Sequence, residues 1–121
     1  IFALAILAAH IYLGNANLHK TKHNYTNAAY HFEAVMQREP TEAFAMILFT
    51  CYYKLGDIAK LQITFDRWIN LIKSSTNQLF WEGRLAELKG EHMRVAVIIS
   101  RLDLQTHLPH RIKKWIDSQK Y

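Results

Sequence analysis

The apolar positions between residues 25 and 68 form a pattern that occurs twice. Within each copy the apolar residues fall three or four positions apart, which is the spacing of one face of an amphipathic helix. The second copy follows the first at a constant offset of 33 positions. An offset of this length is typical of stacked helical hairpins, in which each repeat is a pair of helices. The matching pairs are Tyr25 and Ile58, Ala28 and Leu61, Phe32 and Phe65, and Val35 and Trp68.

Residues 1–73 are therefore predicted to form two helical hairpins. In the first hairpin, one helix is expected over residues 1–22, followed by a turn at His23 and Asn24. Asn24 or Thr26 is expected to cap the second helix, since both side chains can accept a hydrogen bond from a free backbone N–H. Pro40 ends that helix, because proline disfavours helical geometry in the residue before it.

The second hairpin begins directly after Pro40. Thr41 is predicted to cap its first helix, with Glu42 in the first turn, where the helix dipole favours an acidic side chain. Gly56 and Asp57 are predicted to end that helix in a left-handed turn, and the second helix follows. Together the two hairpins predict an all-α helical repeat, an α-solenoid fragment.

The remaining third of the chain departs from the hairpin pattern. Residues 74–78 are all polar and are predicted to be a linker. A helical extension is predicted over residues 79–121: a long helix over 79–104, split or kinked at Gly90, a break at Pro109 and a short terminal helix.

Charge and composition narrow the function only slightly. The chain has 121 residues, half of them hydrophobic, and a formal net charge of +5. Most of the excess positive charge follows residue 69, which suits an acidic partner, nucleic acid or an anionic membrane without selecting one. Cys51 is the single cysteine, so an intramolecular disulfide is excluded and a reducing, intracellular compartment is expected. The apolar start at Ile1 suggests a piece of a longer chain, and its apolar run is too short to span a membrane.

No residue pattern predicts catalysis, a metal site or a cofactor. The pair His19 and His23 and the pair His107 and His110 each offer two imidazoles, whereas zinc needs three or four ligands. Cys51 has no neighbouring base that would activate it as a nucleophile. The four glycines are too scattered for a phosphate-binding loop. We therefore expect a protein that is not an enzyme and uses no cofactor.

The first copy of the pattern resembles a tetratricopeptide repeat (TPR). The residues that carry this resemblance are Ala28, Phe32, Val35 and Pro40, preceded by Tyr25. The second copy has glycine at the turn and Phe65 in its second helix, but it has bulky residues at Leu61 and Trp68, where the TPR family prefers small ones. The resemblance implies a non-catalytic scaffold that holds other protein subunits together.

A narrower resemblance covers residues 25–65. The segments YTNAAYHFEAVMQREP and CYYKLGDIAKLQITF are similar to the large polaris-type TPR subunit of the intraflagellar transport B complex. This resemblance implies a role in assembling cilia or flagella, with protein subunits of a large complex as partners and the cilium and cytoplasm as location. No membrane insertion and no small-molecule substrate are expected, and a direct role for nucleic acid is disfavoured.

TPR proteins bind peptides in a groove lined by the first helix of each hairpin. In this chain, the resemblance implies groove residues that are mixed in character, and Asn17 and Lys20 are suited to binding a carboxylate. The alternative is that all of them are simply exposed helix residues. The groove candidates are Asn17, Lys20, Thr21, Ile47, Cys51 and Lys54.

A second candidate surface lies near the end of the chain. Arg111, Lys113 and Lys114 cluster beside Trp115 and predict a basic surface. An acidic peptide or a solvated face fits this cluster better than RNA, because aromatic residues suitably placed to stack on bases are missing. The alternative function is therefore a basic TPR-like adaptor for RNA or an acidic peptide.

Overall fold

The computed structural model describes residues 22–120, and all of their regular secondary structure is helical. Six α-helices follow one another, separated mostly by short turns, which matches the all-α prediction. Their bounds are α1 Lys22–Arg38, α2 Glu42–Leu55, α3 Ile58–Trp68, α4 Ser75–Leu88, α5 His92–Asp103 and α6 His110–Lys120, with a 3₁₀-helix at Ile69–Leu71 after α3. The helix predicted over residues 1–22 falls almost wholly outside this range.

The predicted turn at His23 and Asn24 is wrong, because both residues belong to α1. Thr26 does not cap a helix end. Its hydroxyl donates instead to the Lys22 carbonyl oxygen four residues earlier, at 2.8 Å, a bond that threonine makes inside a helix. Helical continuity therefore prevails over the local turn preference of asparagine.

Both predicted signals around α2 are confirmed. The Thr41 hydroxyl accepts a hydrogen bond from the Phe44 amide at 3.2 Å and caps the start of the helix. Gly56 ends the helix with φ 67°, in the left-handed region that favours glycine. The Asp57 amide then donates to the Tyr52 carbonyl at 3.1 Å, so the chain reverses within two residues.

A second turn of the same construction joins α4 to α5. Gly90 has φ 74°, and the Glu91 amide donates to the Ala86 carbonyl at 3.0 Å. Each of these residues lies 34 positions after its counterpart in the first turn. The predicted split at Gly90 is confirmed, and the long helix is two helices.

The polar residues 74–78 do not form a linker. The Ser74 hydroxyl accepts from the Asn77 amide at 3.2 Å, and α4 starts at Ser75. Because serine and asparagine are good residues for a helix start, this polar run is the first turn of a helix.

The chain divides into two compact units between Lys73 and Ser74. In unit 1, the described core combines residues of α1, α2 and α3, including the fully buried Phe32, Leu48 and Phe49. After the 3₁₀-helix, the Lys73 amide donates to Oε1 of Glu42 at 3.2 Å, which ties the end of the unit to the start of α2.

Unit 2 is built from α4, α5 and α6 around an aromatic cluster. Phe80 is fully buried, and its ring centroid lies 5.7 Å from that of Trp115 in an edge-to-face arrangement. A Cβ atom built on Gly83 would lie 2.5 Å from the Trp115 ring and 3.1 Å from Ile98. The absent side chain at Gly83 is therefore what allows α6 to pack against α4.

Candidate functional site

Unit 1 contains a groove between α1, α2 and the start of α3. Its cavity volume is about 630 Å³, which lies within the range of small-ligand and peptide-anchor pockets. Side chains from all three helices and from the turn at Asp57 line it. The lining residues are Thr26, Ala29, Tyr30, Glu33, Ala34, Gln37, Tyr52, Leu55, Asp57 and Lys60.

The spacing of residues along α1 places one of its faces in the groove. Tyr30, Glu33 and Gln37 lie three and four positions apart, so they share a side of the helix. Other residues of the same helix, such as Phe32 and Val35, are fully buried in the core. The same amphipathic pattern that packs α1 into unit 1 thus turns a polar and aromatic stripe toward the groove.

A hydrogen bond between α2 and α1 forms the floor of the groove. The Tyr52 hydroxyl donates to Oε1 of Glu33 at 2.7 Å. The pKa of Tyr52 is raised well above its ordinary value of 10.0, first by burial and then by this carboxylate, with smaller contributions from Cys51 and Asp57. The hydroxyl therefore remains protonated and acts as a fixed donor at neutral pH.

The charged end of the groove is formed by the turn into α3. Oδ1 of Asp57 accepts from the Lys60 amide at 3.1 Å and caps the helix. The Lys60 ammonium lies 6.0 Å from the centroid of the Tyr52 ring. Among the carboxylates of residues 22–120, none forms an ion pair with it.

A smaller cavity of about 270 Å³ adjoins the groove and shares Glu33, Tyr52 and Lys60 with it. It extends the surface along α3 to Ile63, whose side chain is 58% exposed. Tyr30 on α1 is 73% exposed. Two large apolar side chains thus stand in solvent beside a polar, charged floor, an arrangement common in peptide-binding surfaces.

Of the groove candidates that follow from the TPR resemblance, the three that the structure describes do not line this groove. Asn17, Lys20 and Thr21 fall outside the described residues. Ile47 is half-buried and Lys54 is exposed on α2, but neither lines the groove described above. Cys51 is completely buried, and burial raises the pKa of its thiol to about 12. A bound peptide cannot reach this thiol, so Cys51 is a packing residue of unit 1.

The predicted basic residues lie on α6 in unit 2. Arg111 donates to Oδ1 of Asn77 at 2.8 Å, and the bond joins α6 to α4. Lys113 and Lys114 are exposed on α6, whereas Ile112 and Trp115 of the same helix are buried. The structure therefore gives Arg111 a packing contact and leaves two lysines in solvent.

The sequence analysis did not identify the groove on α1. The missed residues are Tyr30, Glu33 and Gln37 on α1, together with Tyr52 and Lys60. The one hint was Tyr30 on the polar face of the helix, and a single exposed aromatic residue is too common on protein surfaces to identify a site. The sequence could not show that Tyr52 on α2 donates a hydrogen bond to Glu33 on α1, which lies 19 residues earlier.

The described residues offer neither a metal-ligand cluster nor a membrane-spanning helix. Between residues 22 and 120, no three histidine, cysteine or acidic side chains come together as metal ligands would. Nor does any helix there combine the length and apolar character needed to cross a membrane. The groove is thus the site that the geometry offers for analysis.

Comparisons with models of protein families, with curated proteins and with solved structures find no match to this chain. What can be said of its function therefore rests on the geometry and on the residues themselves.

Proposed function

We propose that this chain is a non-catalytic helical-repeat scaffold that binds another polypeptide in the groove formed by α1, α2 and α3. The observation that carries the proposal is the groove itself, in which the exposed Tyr30 stands beside the fixed pair of Tyr52 and Glu33. An exposed aromatic side chain next to buried polar partners supplies contact area and orientation together, which is how interface anchors work.

The repeat character of the proposal is supported by the two glycine turns. Gly56 and Gly90 have nearly the same φ angle and lie 34 positions apart. The period of TPRs is 34 residues. The apolar positions that follow keep this offset, since Leu61, Phe65 and Trp68 correspond to Val95, Ile99 and Leu102. A third TPR-like hairpin formed by α4 and α5 is therefore part of the proposal.

The resemblance to the polaris-type subunit makes the proposal more specific. On that basis the bound polypeptides are subunits of the intraflagellar transport B complex. A tagged chain expressed in ciliated cells is then expected to co-purify with several subunits of that complex in fixed proportion. Recovery of the chain without any of them would remove the ciliary assignment but would leave the groove proposal standing.

A site-specific photocrosslinker tests the groove directly. With the crosslinking side chain in place of Tyr30, we expect discrete adducts with partner polypeptides. The matched control places the same group at Gln105, an exposed residue of unit 2 that does not line the groove. Equal adducts at both positions, or none at position 30, would show that this groove is not the binding surface.

A further inference from the structure

The charges lining the groove are opposite in sign to the charge of the whole chain. The chain has 15 basic and 10 acidic residues and a net charge of +5. Among residues 22–120, in contrast, the groove is lined by two carboxylates, Glu33 and Asp57, and one ammonium, Lys60. The lining is therefore locally acidic. It attracts a positively charged ligand, although the net charge of the whole protein repels one.

Both carboxylates keep hydrogen-bonding capacity. Glu33 uses Oε1 for the Tyr52 hydroxyl, and Asp57 uses Oδ1 for the Lys60 amide. A carboxylate has about four acceptor positions on its two oxygens. Because the Lys60 ammonium forms no ion pair with either group, no described ion pair within residues 22–120 neutralises the negative charge of the lining.

The behaviour of Tyr52 agrees with a negative local potential. After burial, the causes that raise its pKa are the hydrogen bond and charge of Glu33, followed by Cys51 and Asp57. Both groove carboxylates thus act on the same hydroxyl from different helices, although Lys60 lies close to the ring. A cation entering the groove would meet the combined field of the two carboxylates.

Aromatic rings complete the set of groups suited to a cation. The Tyr30 side chain is 73% exposed, and the face of Tyr52 already has the Lys60 ammonium at 6.0 Å. Tyrosine rings attract cations over their faces, and arginine is the usual partner. Arginine also supplies five N–H donors on a planar group, enough to bond with two carboxylates at once.

We propose that the groove recognises a basic segment of a partner polypeptide, with an arginine or lysine side chain between Tyr30 and Tyr52 that donates to Glu33 and Asp57. This inference rests on the proposed function and specifies the chemistry of its ligand. Apolar side chains next to the basic one would contact Ala29, Ala34 and the exposed Ile63.

The test uses a phage-displayed library of random dodecapeptides selected on the immobilised chain. We expect the selected peptides to be enriched in arginine and lysine. Binding of synthetic copies should weaken by at least about tenfold in Glu33→Gln, because the variant removes the negative charge that strengthens the hydrogen bond to the basic side chain. Glutamine still accepts from the Tyr52 hydroxyl, so the groove keeps its shape. Glu39→Gln, just past α1 and outside the groove, is the matched control and should leave affinity unchanged.

Lys60→Met tests the sign of the charge. Methionine keeps an apolar stem but removes the competing ammonium, so affinity for a basic peptide should rise a few-fold. A ligand that used its own carboxylate would instead bind more weakly to this variant. A fall in affinity with Lys60→Met would therefore overturn the inference.

The remaining outcomes separate the two proposals. Selected peptides that lose binding in Tyr30→Ala, yet lack basic residues or bind Glu33→Gln as well as the unmodified chain, would overturn the basic-segment inference and keep the groove as a peptide site. Absence of any peptide whose binding depends on Tyr30 would overturn both. Because Tyr30 is exposed, its replacement leaves the core intact.

Discussion

Each unit contains a pair of consecutive helices, α2 with α3 in unit 1 and α4 with α5 in unit 2. The units differ in which side chain fills the space beside the first helix of the pair. In unit 1 this position of α2 is Phe49, which is fully buried with its ring centroid 6.2 Å from that of Phe65. In unit 2 the residue 34 positions later is Gly83, and the Trp115 ring of α6 occupies the space. The space is therefore filled by a side chain of the helical pair itself in unit 1, and by a side chain of a third helix in unit 2.

The two units also use a half-buried carboxylate partner differently. In unit 1 the Tyr52 hydroxyl donates to Glu33 at the floor of an open groove. In unit 2 the Trp115 indole donates to Oε1 of Glu87 at 2.9 Å and fixes the helix that fills the space. One bond lies at the floor of an open groove, and the other holds α6 in the core of unit 2.

Trp115→Ala provides the largest test of this difference. Removing the ring would leave the space above Gly83 empty, and buried tryptophan or phenylalanine to alanine changes cost about 3–5 kcal/mol. We expect a loss of this size in the free energy of unfolding, measured by urea denaturation. Phe49→Ala is the matched change in unit 1 and should cost a similar amount. A loss below 1 kcal/mol for Trp115→Ala would contradict the filling role, on the scale of ordinary surface changes.

Alkaline pH should weaken unit 1 selectively, since residues 74–120 of unit 2 contain neither cysteine nor tyrosine. The Cys51 thiol has an ordinary pKa of 9.0 and a folded-state pKa of about 12. Its stabilising contribution is therefore complete below pH 9 and is lost as the pH rises toward 12. The slope is up to about 1.4 kcal/mol per pH unit for one group.

Denaturation of the unmodified chain and of Cys51→Ala at several pH values in this window measures the effect. The variant is expected to be less stable below pH 9 but to show a shallower decline above it, because the buried thiol no longer titrates. Equal slopes in the two proteins would rule out Cys51 as a source of the alkaline loss.

Gly83→Ala tests the close approach of the helices in unit 2. The added methyl group would lie 2.5 Å from the Trp115 ring, so α6 has to shift. Overpacking of this kind costs about 1–3 kcal/mol. Thermal unfolding followed by tryptophan fluorescence measures the loss, and an unchanged melting temperature would mean that α6 does not pack closely on α4.

Gly56→Ala and Gly90→Ala test whether the two turns are equivalent. No atom lies within 4 Å of a Cβ built at either position, so the penalty comes from the positive φ angle alone. We expect each change to cost about 1–2 kcal/mol, and the two losses to agree closely. Urea titrations of both variants provide the comparison, and a large inequality would show that the turns are not equivalent.

The smallest effect is expected for Lys113 and Lys114. Both are exposed on α6, so replacing both with alanine should change stability by no more than about 0.5 kcal/mol. Thermal unfolding measures it. Binding of selected peptides in unit 1 should also be unchanged, because neither lysine lines the groove, and a clear loss there would show that these lysines take part in binding.

The sequence predicted the elements that depend on neighbouring residues. The cap at Thr41, the turn at Gly56 and the split of the long helix at Gly90 are all local, and each is confirmed. The errors at His23 and at residues 74–78 arose where polar residues fit both a turn and the first part of a helix.

The groove could not be predicted from patterns of neighbouring residues, because it depends on contacts between separate helices. Tyr30 and Glu33 belong to α1, whereas Tyr52 and Lys60 come from α2 and α3. Helical periodicity shows which residues share a face, but not which neighbouring residue meets that face. The burial of Cys51 illustrates the same limit, since its position on α2 suited an open groove or a packed core equally well in the sequence.

The bond between the Lys73 amide and Glu42 has a practical consequence for dissecting the molecule. It fastens the last residue of unit 1 to the beginning of α2, and Ser74 on the other side supplies its own helix cap. A cut or a flexible insertion between Lys73 and Ser74 therefore leaves both hydrogen bonds in place. A division at this junction separates the groove in unit 1 from α6 with its basic residues. Binding of a partner to each part can then be measured by itself.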